Sequence, residues 1–579
     1  MTSSPISPPH VHDRNSVPVG SLFSVRHHYV VMVVIALAIA AGRIATVSSR
    51  EGSTAFLSAN DRSRWCTIAA LVEDGTFAID RQMRLKDAKG RRHWQTIDRV
   101  QHRGEDGRRH DYSSKPPLFP VLVAWLYWVV NQCTGMTLTQ QPIYLARIIL
   151  AVVNLPMLLA FCVATIFSVH RITSSDWTRR ILSAATCFGT MLIPFSFSLN
   201  NHLPAASATA VVAALFLWLS RRHSTDTNQR TGDRSGWMSC LLVSLSAGVA
   251  SGWVAANELP ALSMVGLWGL LFLYWDRRTV VGYTLGIGVV AAAFFWTNWM
   301  AHQSLRPPYA HRGVGPLVAT MDAVEPNLAV EAITGQLRSA EALDPQESVE
   351  SLVDSDEPGR WRAVTDAQRW FAVTADVASG EVAENPVQSA SRWRIYPWDD
   401  WYEYPGSYWQ TERSGVDRGE PSRGTYLFNA TVGHHGLFSL TPLWCLVPLG
   451  WLFAVAGPWQ TEIRDQDVVR LSDGRAVRVM MIAIMIASLV CFAFYMARPK
   501  IDRNYGGVST CFRWMLWFAP LWVLCCVPAV DRVSRSRWGR FTIMVLLGLS
   551  VFSMSTALDS PWHSPWLYRY WDFLGWLDG

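Results

Sequence analysis

The sequence predicts an all-α polytopic membrane protein: a bundle of about eleven transmembrane helices, with helices lying on its outer surface and a large outer loop domain. Three observations predict it. Of 579 residues, 50% are hydrophobic and only 17% charged, against about 25% charged in ordinary soluble domains. Apolar runs of the length needed to cross roughly 30 Å of hydrocarbon recur along the chain. The basic residues gather in the short connections between those runs, the bias that orients a chain in a membrane. The net charge of +6 is therefore read as membrane orientation, and no nucleic-acid partner is expected.

Taken in order, residues 1–28 read as a cytoplasmic tail. The stretch is polar and Pro-rich, with Arg14 and Arg26 before an apolar run from Tyr29. No small-residue cleavage site follows, so that run reads as a retained first helix. Candidate spans are 29–48, 143–169, 180–199, 203–221, 237–254, 257–275, 279–298, 436–457, 478–496, 513–530 and 541–557. Basic connections that belong in the cytoplasm carry Arg171, Arg179 and Arg180, then Arg221, Arg222, Arg230 and Arg234, then Arg277 and Arg278. Later ones carry Arg464, Arg470, Arg475 and Arg478, then Arg532, Arg535, Arg537 and Arg540. If the apolar run 118–130 also crossed, every later basic loop would flip to the outside. With Pro116, Pro117 and Pro120 at its start, it reads as an interfacial or re-entrant helix on the outer face.

The domains follow: a catalytic-type transmembrane module 29–298 with a first outer loop 49–117, an outer loop domain 299–435, and C-terminal helices 436–579. The loop 299–435 is acidic in its middle (Glu341, Asp344, Glu347, Glu350, Asp354, Asp356, Glu357) and aromatic later. Most of the ten cysteines fall in apolar runs, where they act as small core residues. Cys66 and Cys511 face outside and could pair, although no spacing argues for it. No Cys/His spacing suggests zinc, and no metal is expected. Asn429-Ala430-Thr431 fits a glycosylation sequon.

Chemistry gathers just after the first span, in Asp61-x-x-x-Trp65 and Tyr112-x-x-Lys115-Pro116-Pro117-Leu118. Residues 61–73 have helical periodicity, which places Asp61 at the start of a helix lying on the membrane. There it is either a cap or a general base for an acceptor hydroxyl. Lys115 either snorkels to the headgroups or binds a phosphate as a compact cation, with Tyr112 able to donate to the same phosphate. A late basic loop (Arg498, Lys500, Arg503, Arg513, around Asn504-Tyr505-Gly506-Gly507) falls on the outside against the usual charge bias, and arginine forks match phosphate oxygens. Arg43 and Arg147 lie near the outer ends of the first two spans, where a charge either snorkels or faces a cavity. Asn200, Asn201 and His202 occupy one outer turn and Glu258 another. Turn chemistry alone accounts for the asparagines. The aromatic and acidic stretch 393–409 suits sugar rings, a small domain core or an interface belt.

At these residues the chain resembles the GT-C superfamily of membrane glycosyltransferases, in particular the branch with the lipid A aminoarabinose transferase and the protein O-mannosyltransferases. In that family an acid opens a juxtamembrane helix after the first span. A Tyr-x-x-Lys-Pro element, an apolar segment and an arginine-bearing helix follow, with a large outer loop and a late Gly-Gly/Arg segment. Asp61, Trp65, Tyr112 through Leu118 and, more loosely, Gly506, Gly507 and Arg513 match. Departures are a longer first outer loop with a basic insert at 86–109, the rival acid Asp98 inside it, Trp65 where some relatives have tyrosine, and Asn201-His202 where many relatives have a second acid.

The resemblance implies an inverting glycosyltransferase in a cytoplasmic (inner) membrane, its active site facing outside. The sugar would come from a polyprenyl-phosphate donor and pass to a lipid, glycan or protein hydroxyl. Asp61 would be the base, and Lys115, Tyr112, Arg503 and Arg513 would hold the donor phosphate. Trp65, Asp98, Arg147, His202 and Glu258 are the remaining substrate-binding candidates. The donor is a substrate and no cofactor is expected; no nucleotide-binding motif is seen. The competing readings are a transporter or lipid flippase, which predicts repeats with broken helices, and a non-catalytic glycan-binding scaffold, which predicts Asp61 and Lys115 far apart.

Overall fold

The computed structural model describes residues 19–87, 89–225, 234–324, 328–355, 359–375, 392–410, 413, 415–456 and 471–577. Most of the N-terminal tail with Arg14, and Arg230, Asp356, Glu357, Arg464 and Arg470, lie outside these residues. Among the described residues, eight helices are long and apolar enough to cross a membrane: His27–Thr46, Pro142–Ile172, His202–Ser220, Trp237–Asn257, Thr279–His302, Gly474–Met496, Arg513–Val533 and Arg537–Ser555.

Three of the eleven expected spans are built from shorter pieces. The run 180–199 is a helix Asp176–Phe188 that stops at Gly189 and continues as a 3-10 turn Ile193–Phe197 containing Pro194. The run 257–275 is a 3-10 turn Leu259–Ala261 and a helix Leu262–Trp275. The run 436–457 is a 3-10 turn Pro442–Cys445 and a helix Leu446–Ala456. In each a Gly or Pro interrupts the apolar run, and a hydropathy count does not register the break.

Helix Leu118–Thr134 starts after Pro117 and ends at the left-handed Gly135. At 1.5 Å per residue its 17 residues reach about 25 Å, short of the hydrocarbon thickness. It is held at its far end by Glu73, whose carboxylate accepts from the Tyr127 hydroxyl at 2.8 Å and from the Thr139 amide and hydroxyl at 3.2 and 2.5 Å.

The all-α expectation is corrected in two places. At the end of the basic insert, β1 (Arg99–Arg103) and β2 (Arg109–Ser113) form an antiparallel hairpin with Arg99 opposite Ser113 and His102 opposite His110. Within 299–435, β3 (Ala319–Asp322), β4 (Val349–Asp354), β5 (Arg360–Thr365), β6 (Trp370–Ala375) and β7 (Arg392–Pro397) form an antiparallel sheet in the order β3-β7-β6-β5-β4. Its core has Trp361, Ala363, Phe371, Val373, Trp393 and Ile395 against Ile333 and Leu337 of helix Ala329–Ser339. The strands alternate with period two: in β5, Trp361, Ala363 and Thr365 are buried while Arg360, Arg362 and Val364 are not. Reading that stretch for acids and aromatics obscured the alternation.

All ten cysteines are free thiols. Cys66 donates to the Trp94 carbonyl at 3.3 Å, and Cys511 packs in a different apolar cluster.

Candidate functional site

The site begins with helix Ala59–Ala69. Ser58 is its N-cap, accepting from the Asp61 amide at 3.1 Å. Asp61 is therefore not the cap. Its Oδ2 accepts from the Leu57 amide at 2.9 Å, while its Oδ1 is buried with no hydrogen-bond partner. Full burial pushes the Asp61 carboxyl up to about 7; the Leu57 amide, the charges of Arg62 and Arg64 and the Trp65 indole hold it from rising further. Trp65, one turn on, is buried and stacks on Phe56 at 5.6 Å.

The stretch before β1 wraps this helix. Thr96 donates to the Ala59 carbonyl at 2.8 Å, Arg62 to the Gln95 carbonyl at 2.7 Å, and Ser63 to the Asp98 carbonyl at 2.5 Å. The Ser63 hydroxyl also meets Ser113 at 2.6 Å, and Ser113 accepts from the Lys115 amide at 3.2 Å. These bonds bring Asp98 to Lys115, whose Nζ lies 3.1 Å from the carboxylate with a fifth of the lysine side chain exposed. Burial lowers the Lys115 pKa; the Asp98 charge opposes this, and the nearby Arg64 and Arg513 add to it.

Arg64 lies on the face of the helix shared by Asp61 and Trp65. It donates to the side chain and carbonyl of Asn60, and to Asn201 Oδ1 at 3.0 Å. Burial lowers its pKa to about 10, against the opposing charges of Asp98 and Asp61. Asn201 Nδ2 donates to Glu258 Oε1 at 2.7 Å, and the same oxygen lies 2.6 Å from His202 Nδ1. Arg513 Nη1 lies 3.1 Å from His202 Nε2. Arginine only donates, so His202 Nε2 accepts and its Nδ1 proton points at Glu258. Arg513 is fixed by its Nε bond to the Gly506 carbonyl at 2.6 Å and by the Trp562 ring 4.8 Å beneath it. Gly506 is required here: its φ is +100°, and a Cβ would collide with the Arg513 side chain.

Two turns far apart in sequence thus become one chain of contacts, Arg64–Asn201–Glu258–His202–Arg513. An acid, Glu258, thus stands beside the Asn201-His202 turn. Asn200 caps the following helix, its Oδ1 accepting from the amides of His202 and Leu203 at 2.9 and 3.2 Å. Among the described residues, no three His, Cys, Asp or Glu side chains group as a metal site would.

Asp61, Trp65, Asp98, Lys115, His202, Glu258 and Arg513 are brought together, and three expected residues are not. Tyr112 stacks on His102 at 4.0 Å, and the charges acting on its phenol are those of Asp80, Asp106 and Glu105. The β2 strand carries Tyr112 toward the sheet-bearing region, away from Lys115. Arg503 donates to the Arg498 carbonyl at 3.2 Å within its own turn. Arg147 donates twice to the Val47 carbonyl, at 3.0 and 2.8 Å, closing the end of the first helix. Arg43 likewise donates to the Asp559 carbonyl at 3.1 Å. Arg64 was missed, although its helical spacing of three from Asp61 puts both on one face.

No family model matches this chain, and no curated protein matches it. Solved structures similar to it include the oligosaccharyltransferase of Archaeoglobus fulgidus in complex with an inhibitory peptide and a dolichol-phosphate. That alignment has 11% identity and a TM-score of 0.41, covering 95% of this chain and 57% of the archaeal one. The chain thus spans under two thirds of that enzyme's length. Another is the protein O-mannosyltransferase complex of S. cerevisiae bound to its sugar donor, with 12% identity and a TM-score of 0.40, covering 98% of this chain and 93% of the yeast one.

Proposed function

We propose that the protein is a GT-C-type glycosyltransferase that moves a sugar from a polyprenyl-phosphate donor to an acceptor hydroxyl on the extracytoplasmic face. The observation that carries this reading is the convergence of three cations, Lys115, Arg64 and Arg513, beside two carboxylates, Asp98 and the enclosed Asp61. Cations gathered in such number suit a ligand with several anionic oxygens. A small apolar pocket has Cys511, Phe512, Met515 and Gly436 in its lining, the first three close to Arg513 in sequence.

In this mechanism the donor phosphate takes the place of Asp98 as the partner of Lys115 and bonds Arg64 and Arg513. Asp61 Oδ1 accepts the proton of the acceptor hydroxyl, whose oxygen attacks the anomeric carbon from the face opposite the phosphate. The carbon–oxygen bond to the phosphate breaks, and its electron pair stays on the phosphate oxygen between the cations. The product is inverted at that carbon. A carboxyl with a pKa near 7 is well matched to accept a proton at neutral pH. The cations stabilise charge that grows on the leaving group. Glu258, with Asn201 and His202, positions the two arginines.

The test is binding of undecaprenyl phosphate to the full-length protein in detergent. The wild type is expected to saturate, Lys115→Ala to weaken binding at least tenfold, and Asp61→Asn to leave it within twofold. No saturable binding, or equal binding by Lys115→Ala, overturns the reading and favours the transporter or scaffold.

A further inference from the structure

The last membrane helix, Arg537–Ser555, follows helix Arg513–Val533 through the short turn 534–536, so Ser555 and Arg513 lie at the same end of the bundle. Beyond Ser555 the chain passes beside the clamp. The Pro561 carbonyl accepts from the Thr510 amide at 3.1 Å, and the Trp562 ring lies 4.8 Å from the Arg513 guanidinium. Helix Trp566–Phe573 then begins, and the Trp566 indole donates back to Ser553 Oγ at 2.9 Å. This helix has three sides. Leu567, Tyr568 and Trp571 face the protein, the two aromatic rings 5.1 and 5.5 Å from the buried His434. Arg569 and Asp572 form an exposed polar edge. Tyr570 and Phe573, with Leu574 and Trp576 just beyond the helix, form an exposed apolar edge, Phe573 by 84% and Trp576 by 67%. Exposed apolar surface continues on both flanks. On one it takes in Leu427, Phe428 and Val432 at helix Arg423–Thr431, where Phe428 stacks on Trp571 at 6.4 Å. On the other it takes in Leu549 and Phe552 of the last span, Phe552 lying 5.3 Å from Trp566.

We propose that helix Trp566–Phe573 lies in the membrane surface on the clamp side, its apolar edge dipped into the lipid, and that this seat holds Arg513 at the depth of the donor phosphate. The second half rests on the glycosyl-transfer reading; the first does not. An exposed apolar patch rimmed by polar residues marks an interaction surface. Lipid is the occupant because the patch runs without a break onto Leu549 and Phe552, which face outward from a membrane span. Aromatic residues gather where such spans meet water. An amphipathic helix there buries its apolar side about 5–10 Å into the headgroup–acyl boundary and keeps its charges outside. A lipid phosphate sits at that same headgroup level. Trp562, against which Arg513 rests, stands four residues before Trp566, so the depth of the helix sets the depth of the guanidinium.

Full-length protein carrying Cys133→Ser, Cys240→Ala and Cys445→Ala receives one reporter thiol through Phe573→Cys or Trp576→Cys. It is labelled with the fluorophore NBD in phosphatidylcholine–phosphatidylglycerol nanodiscs holding one copy each. Ser339→Cys, on the sheet-bearing domain, is the water reference, and Leu549→Cys, on the last span, the hydrocarbon reference. Iodide is expected to quench the reporters about threefold less than the water reference, and doxyl groups high in the acyl chain to quench them more than deep ones. Quenching by iodide equal to the water reference overturns the seat. Protection seen only in discs with two copies also overturns it and makes the face an interface between copies. The second half is read by titrating the double variant Phe573→Glu/Trp576→Glu with undecaprenyl phosphate. Its affinity is expected to fall about fivefold in nanodiscs, as the correctly placed clamp becomes a minor population. In detergent, where no leaflet sets a depth, it should stay within twofold of wild type, which also reports that the variant folds. Wild-type affinity in nanodiscs, or an equal loss in both media, overturns the link to Arg513. If the wild type binds no undecaprenyl phosphate in either medium, the phosphate clamp fails, while the reporter result still decides the seat.

Discussion

Two regions bury polar groups side by side and treat them in opposite ways. Around Arg64, Lys115 and Arg513 the protein encloses charge and leaves valence open, with Asp61 Oδ1 unpartnered and Lys115 balanced by a single carboxylate. A few residues along the hairpin, His102 lies between Tyr112 and Trp401 at 4.0 and 4.2 Å, and His311 stacks on the far part of the same column, 3.5 Å from Trp401. Both nitrogens of His102 meet partners, the Arg103 carbonyl at 3.0 Å and His302 Nδ1 at 2.9 Å; those of His311 meet Asp399 at 2.6 Å and Ser304 at 3.0 Å. The second region is a joint. It fastens the hairpin to the end of helix Thr279–His302 and to the segment after β7, and of its ring nitrogens His302 Nε2 is buried without a partner. Open charge marks a place prepared for a ligand, and stacked rings mark packing.

The contrast is tested hardest at Asp61. Asp61→Asn is expected to lower the transfer rate about 10²–10⁴-fold, the usual contribution of a general base, with lipid-phosphate affinity unchanged. In the wild type the rate should rise with pH through about 7 as Asp61 loses its proton. A rate independent of Asp61 would leave the carboxylate a structural role only. Lys115→Ala follows, with an expected loss of about 10²–10³-fold in transfer through weaker phosphate stabilisation, partly visible as weaker binding. A single-turnover assay separates the two effects.

The two regions also respond to pH with opposite sign. The carboxyl of Asp61 is raised from 3.8 to about 7, so the native state holds its proton where the unfolded chain has released it. Its stabilising share is complete below about 4 and is lost as pH rises through 7. Burial lowers His102 from 6.5 to about 4, so the unfolded chain binds a proton that the native joint refuses. That share is complete above 6.5 and is lost as pH falls toward 4. Thermal unfolding of Asp61→Asn relative to wild type should therefore shift in the variant's favour between pH 4 and 7 and stay level above. His102→Phe should flatten the loss of stability between pH 6.5 and 4. A common pH trend in both variants would dissolve the distinction.

The part of the site that was legible in the sequence is the part set by local chemistry. Asp61 and Trp65 share a helix face, and Lys115 precedes a Pro-Pro stop, so their neighbourhood follows from order and spacing. What joins Asn201 and His202 to Glu258 is helix packing across the membrane, which spacing does not carry. Tyr112 was misplaced because residues 109–113 pair as a strand, turning its ring into the aromatic joint; the basic residues around it concealed the hairpin. Arg503 looked equivalent to Arg513 from charge alone. Only Gly506, with no room for a Cβ, sets the backbone so that Arg513 turns inward.

A milder test within the site is Glu258→Gln. The amide keeps the volume and can still accept from Asn201 and His202, so the fold should hold. The loss of negative charge between two arginines should loosen their placement. We expect a rate reduced about tenfold with donor affinity reduced less, since a positioning residue acts on transition-state geometry more than on ground-state binding. An equal fall in both would make Glu258 a binding residue instead.

The smallest effect is expected in the joint itself. In His102→Phe the stack against Tyr112 and Trp401 survives, and only the bonds to His302 and the Arg103 carbonyl are lost. That should cost about 1 kcal/mol of stability and leave transfer within twofold. A large loss of transfer, with stability intact, would mean that the joint sets the hairpin angle that holds Asp98 against Lys115. The boundary between packing and chemistry would then run through β1, and Asp98 would be positioned from the sheet side as much as from helix Ala59–Ala69.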